Sequence, residues 1–94
     1  LENQVKFSYL ALGSNLGNKI ENIERAKFEL QYNKIKIIKS SSNFESLSWP
    51  NPSNPIFINT VIKIKTNIPP LELLKICNLI EKKIRKKKIH NKCT

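Results

Sequence analysis

Phe57 and Asn59 stand two residues apart in a segment, residues 56–65, where side chains alternate in character. Ile56, Ile58, Thr60, Ile62 and Ile64 share one parity; Phe57, Asn59, Val61, Lys63 and Lys65 share the other. Successive strand residues point to opposite faces, so a half-buried strand with its isoleucines inward leaves Phe57 and Asn59 together on the open face. A ring beside a carboxamide could stack on a flat polar heterocycle and bond to its edge, because an amide both donates and accepts. Residue type alone fits a plainer pair better: an aromatic covering a helix or loop, and a solvated strand amide.

The second chemical feature is charge. The chain has 94 residues and a net charge of +10. Residues 75–94 carry eight Lys/Arg and one Glu (+7), and residues 1–74 carry nine and six (+3). The run Lys82-Lys83-Ile84-Arg85-Lys86-Lys87-Lys88 would attract nucleic acid, a membrane surface or ATP, and charge does not choose among them. All seven acids are Glu, and there is no Asp. Cys77 and Cys93 lie 16 apart and, with the lone His90, cannot make a four-ligand zinc site. Two incidental thiols fit a reduced, cytoplasmic protein. Both glycines, Gly13 and Gly17, fall in one short turn segment with no Walker lysine and no Gly-x-Gly-x-x-Gly spacing. A tight strand-to-helix connection is the expected use of that turn.

The elements that must position these groups are legible from periodicity. Residues 7–12 read as a short, largely buried strand, since apolar residues dominate both parities. From Lys19 to about Leu30, the apolar set Ile20, Ile23, Ala26 and Leu30 steps by three or four, with Asn18 as N-cap. Residues 35–41 make a second strand. Residues 46–55 hold Pro50, Pro52 and Pro55 and read as a loop. Pro69-Pro70 opens a second helix, whose stripe is Leu73, Leu74, Cys77, Ile80 and Ile84. The order is β-α-β-β-α, and one further strand would complete an α+β ferredoxin-like sandwich. That strand is missing from this chain. The length suits one domain, residues 1–94. No apolar run is long enough to span a membrane. A chain beginning at Leu1 instead of Met reads as a trimmed or internal fragment.

Four ordered motifs carry a resemblance. Tyr9-Leu10-Ala11-Leu12-Gly13-Ser14-Asn15-Leu16-Gly17-Asn18 resembles the opening of the hydroxymethyl-dihydropterin pyrophosphokinase family, a strand running into Leu-Gly-Ser-Asn-Leu-Gly and a helix. Ser41-Ser42-Asn43-Phe44-Glu45-Ser46 is similar to that family's Ser-Ser-x-aromatic-x-Thr segment, and Asn54-Pro55-Ile56-Phe57-Ile58-Asn59 to its Gln-Pro-x-aromatic-Leu-Asn strand start. Thr66-Asn67-Ile68-Pro69-Pro70-Leu71-Glu72-Leu73-Leu74 matches its Thr-x-Leu-x-Pro-x-Glu-Leu-Leu helix start, with Ile80-Glu81 one turn further on.

The resemblance implies an enzyme of folate biosynthesis that moves pyrophosphate from ATP to 6-hydroxymethyl-7,8-dihydropterin and releases AMP. It places the pterin on Phe57 and Asn59, with Ser46, Leu47 and Trp49 from the preceding loop. It places ATP near Glu81 and on Lys86 and Lys88, which stand at the two Arg positions of a Gly-Arg-x-Arg segment, with Arg85 at the Gly. Leu47 replaces a usual Pro, and Trp49, in place of a smaller aliphatic residue, would lid the pterin or plug the loop. The family's two Mg²⁺ ions sit on an Asp-x-Asp pair, which a chain without Asp cannot supply. The resemblance therefore implies no catalytic residue and no metal ligand here, and an inactive fragment. The parent could be fused to another folate-pathway enzyme. The alternative is a basic ferredoxin-like RNA-binding module. Its expected Lys/Arg-Gly-aromatic string is absent, so nucleic acid is not an expected partner, and without a spanning apolar run neither is a membrane.

Overall fold

A computed structural model describes residues 5–47 and 56–93, with side chains as far as residue 84. In chain order the elements are β1 (Lys6–Ser14), α1 (Lys19–Tyr32), β2 (Lys36–Ser40), β3 (Phe44–Ser46), β4 (Phe57–Thr66) and α2 (Pro70–Cys93). The architecture is α+β and ferredoxin-like, an antiparallel four-stranded sheet with two helices. The short β3 is the one element that periodicity did not forecast. Three residues are too few to show an alternation.

β4 is the organising strand. β1 pairs along one edge of it, from Lys6 opposite Thr66 to Ser14 opposite Ile58. β2 and β3 share the other edge, β2 against Ile62–Lys65 and β3 against Phe57–Asn59. Between them Ser41 keeps the ladder going with its own atoms. Its N–H donates to the Val61 carbonyl at 2.8 Å, and its Oγ accepts the Val61 N–H at 2.9 Å. The Ser41 carbonyl also accepts the Thr60 hydroxyl at 3.0 Å. A serine hydroxyl commonly stands in for a backbone partner in this way. The effect is to carry the chain out of β2 and back into register as β3.

The inward parity of β4 is buried from Thr60 on, with Thr60, Ile62 and Ile64 at 0% exposure and Thr66 at 6%. Ile58 is half-buried, and Ile56, just before the strand and beyond the helices' cover, is exposed against expectation. Ile62 and Ile64 form the core with Leu30, Ile35 and Ile80. Leu10, Leu12 and Ile37 flank them from the sheet, and Ile68, Leu73, Ile76, Cys77 and Ile84 from α2 and its approach. Asn18 caps α1 as expected, its Oδ1 accepting the Glu21 N–H at 3.0 Å. The helix ends where Lys34 takes a left-handed φ of 67°, turning the chain into Ile35 and β2.

Two further expectations need correcting. β1 is not largely buried: Phe7 and Tyr9 are 58% and 69% exposed, because both helices lie on one face and leave the other open. In the two helical stripes, Ile20 and Leu74 are exposed, and Ile76 packs where Leu74 was expected. Helix α2 runs on through the basic run to Cys93. Residues 71–93 contain neither Gly nor Pro, so nothing local breaks it. Among the described residues no helix is long and apolar enough to cross a membrane.

Candidate functional site

The open face of the sheet collects the odd-numbered residues of β4 and their cross-strand neighbours. Asn59 has Gly13 of β1 on one side and Phe44 of β3 on the other; Phe57 faces Ser46. Phe57 and Asn59 are half-buried, while Phe44 and Leu47 are exposed at the rim. The Asn59 Nδ2 donates to Ser46 Oγ at 2.7 Å and lies 3.5 Å from the Phe44 carbonyl. A carbonyl can only accept, so the amide must turn its NH₂ towards β3 and its oxygen towards β1. Among the described residues no hydrogen bond reaches Oδ1. The result is an aromatic ring beside an amide of fixed polarity, with an acceptor still free.

Neighbouring elements hold this corner in place. Lys19, the first residue of α1, donates from Nζ to the Ile56 carbonyl at 2.6 Å and so ties the helix to the start of β4. The Asn22 Nδ2 donates to Ser14 Oγ at 3.0 Å and to the Leu16 carbonyl at 2.9 Å, closing the turn between β1 and α1. Gly17 sits there with φ 58°, the left-handed conformation that glycine tolerates. That segment connects β1 to α1 in a tight turn, as expected.

Of the anticipated pterin-side residues, the structure brings Ser46, Phe57 and Asn59 together and puts Leu47 directly after β3. Trp49 lies outside the described residues. Glu81 is exposed on α2, a helix packed against the opposite face of the sheet. Lys86 and Lys88 fall in the last turns of α2, and their side chains are outside the described residues. Two members of the corner escaped the sequence reading, Phe44 and Gly13. The signal for both was register, which a single strand does not display.

The other end of the open face differs. Lys63 Nζ lies 5.2 Å from the Phe7 ring centroid and 6.0 Å from that of Tyr9, and Lys65 Nζ lies 5.9 Å from Phe7. On the helical side, a groove of about 240 Å³ runs between the end of α1 and α2, lined in part by Tyr32, Ile76 and Leu79. In its lining the nearly buried Glu29 pairs with Lys83 at 3.0 Å. That groove mixes apolar residues with Glu29, Asn33 and Lys83 and lies away from Phe57 and Asn59.

The family model for 7,8-dihydro-6-hydroxymethylpterin-pyrophosphokinase (HPPK) matches residues 9–94. The chain belongs to the HPPK family. Among its relatives, the 2-amino-4-hydroxy-6-hydroxymethyldihydropteridine pyrophosphokinase of Aquifex aeolicus is 38% identical over 79 residues, covering 84% of this chain and 49% of that protein. The enzyme of the same name from Bacillus subtilis is 32% identical over 78 residues, covering 82% and 47%. The folic acid synthesis protein fol1 of Pneumocystis carinii is 38% identical over 84 residues, covering 89% of this chain and 11% of its own length. The chain thus spans about half of the bacterial HPPK relatives and a small part of the fungal one.

The two Mg²⁺ ions that the resemblance implies find no fitting ligand set among the described residues. The chain contains no Asp, and among the described residues no three His, Cys or Glu side chains cluster. Glu24 and Glu29 are each paired with a lysine. Hard cations take oxygen ligands, chiefly carboxylates, so these residues do not fit the metal pair.

Proposed function

We propose that the protein acts in folate biosynthesis as a pyrophosphokinase, transferring pyrophosphate from ATP to 6-hydroxymethyl-7,8-dihydropterin, and that this chain supplies the pterin pocket. The reading takes residues 1–94 as one incomplete domain. Phe57 stacks on the pterin, Asn59 bonds to its edge, and Ser46 holds Asn59. Leu47 and Trp49 belong to the adjoining wall. Glu81, Lys86 and Lys88 serve ATP. Lysine at the two Arg positions holds phosphate as a point charge, without the bidentate fork of arginine. What carries the reading is the corner where Phe57 and a polarity-fixed Asn59 share one open face. A ligand entering a prearranged amide has less ordering to do on binding.

Titration calorimetry with each ligand separately tests the assignment. Phe57→Ala should weaken dihydropterin and spare ATP; Lys86→Ala should do the reverse. A chain of 94 residues without Asp should form no AMP from ATP and dihydropterin with Mg²⁺ present, and turnover of about 1 per second or faster would contradict that. The small share of fol1 that the chain matches supports a further proposal, fusion to other folate-pathway domains.

One observation favours a second reading, an RNA-binding sheet. Phe7 and Tyr9 are exposed beside Lys63 and Lys65, and aromatic rings with cations suit single-stranded nucleic acid. Salt-dependent binding of an oligoribonucleotide that falls on Tyr9→Ala would support it.

A further inference from the structure

We infer that Gly13 is a positioning residue for the pterin contact: the space left by its missing Cβ is where the Asn59 carboxamide lies. The inference rests on the proposal that Asn59 binds the pterin edge. Gly13 belongs to β1, directly opposite Asn59, and its backbone is not in the left-handed region. Any residue could adopt that conformation, so glycine is not needed there for flexibility. It is needed for room. A Cβ at Gly13 would stand 2.8 Å from Asn59 Oδ1 and 3.7 Å from Cδ1 of Phe57. The first distance is too short for carbon and oxygen to tolerate, and the second is ordinary contact.

The amide is thus held from two sides. Ser46 Oγ takes the Nδ2 proton at 2.7 Å, and the bare Cα of Gly13 admits Oδ1 on the other side. A methyl group at position 13 would push the amide away from β1, and Asn59 is too short to shift without losing its bond to Ser46. It would also crowd the oxygen that remains free to accept from a ligand. The fold itself should survive, because the atom that must move ends a side chain and is not backbone. Gly13 therefore sets which way the amide faces without touching the ligand.

A double-mutant cycle in the full chain tests this, reading 6-hydroxymethyl-7,8-dihydropterin binding and the side-chain amide NMR signal of Asn59. Gly13→Ala should weaken the pterin by about tenfold or more, the loss of one buried hydrogen bond, and should displace the Asn59 amide signal even without ligand. In an Asn59→Ala background, the same substitution should change binding by less than about twofold. Ser46→Ala, which removes the opposite support without adding volume, should mimic Gly13→Ala in both backgrounds. If Gly13→Ala fails to fold, Asn59→Ala should restore folding by removing the clash. Equal losses in both backgrounds, unfolding in both, or an unmoved amide signal would overturn the inference. If Asn59→Ala itself leaves pterin binding intact, it is the pterin reading that falls, while a displaced amide signal would still place Gly13 against Asn59.

Discussion

At its start, β4 presents Phe57 and Asn59 between Gly13, Phe44 and Ser46; a few residues on, the same face presents Lys63 and Lys65 to Phe7 and Tyr9. The parity is the same and the strand is the same, so the strand is not what distinguishes the ends. Their neighbours do. At the first end Gly13 and Ser46 are small, Phe44 offers its backbone carbonyl, and a short amide is fixed at 2.7 Å to a hydroxyl of the next strand. At the second, long lysines lie over exposed rings, contacts worth about 0.5–1 kcal/mol each at such sites. The first arrangement orients a donor and an acceptor; the second only concentrates charge and apolar surface. A site with geometric demands is built where cross-strand partners are short enough to let one polar group be held.

The comparison can be broken or sharpened in several ways. The largest effect should come from the inward parity that both ends depend on. Ile62→Ala removes a fully buried side chain and should cost about 2–5 kcal/mol, read by denaturant unfolding; a loss under 1 kcal/mol would mean the core is not centred on β4. Ser41→Ala should come next, since it strips the Val61 N–H of its acceptor and loosens β3. About 1 kcal/mol of stability should go, together with some pterin affinity, if β3 positions Ser46. Lys63→Ala should cost no more than about 1 kcal/mol and leave the pterin end untouched. Smallest of all is the response of Cys77, whose thiol burial pushes above its usual range. The folded state favours the neutral thiol. Its contribution to stability is therefore present below the ordinary thiol range and lost as pH rises through the raised value. In a Cys93→Ser background, alkylation of Cys77 should lag a free thiol at pH 8, and equal rates would contradict the burial.

Much of this was legible beforehand because it is periodic. The isoleucine parity of β4, the Asn18 cap and the helical steps through Ile23, Ala26 and Leu30 follow from alternation and spacing. β1 misled because apolar residues fill both of its parities, and sequence cannot tell a face covered by helices from one left open. Leu74 misled because a stripe fixes a face only to within a residue or so, and Ile76 packs better. β3 and the Ser41 bridge were hidden for another reason: they depend on which residues of another strand lie opposite. The corner around Asn59 was half legible on the same account. Phe57 and Asn59 share a strand and announced themselves, whereas Gly13, a near neighbour in space, lies 46 positions away in the sequence.

The most direct test sets the two ends side by side, titrating Asn59→Ala and Lys63→Ala with 6-hydroxymethyl-7,8-dihydropterin and, separately, with ATP. A pterin edge left unpaired costs about 1–3 kcal/mol, so Asn59→Ala should bind the pterin roughly ten- to hundredfold more weakly. Its ATP affinity should stay unchanged, and Lys63→Ala should leave pterin affinity unchanged. Unaltered pterin binding in Asn59→Ala, or equal losses for both ligands, would contradict the assignment of that end of the sheet to the pterin.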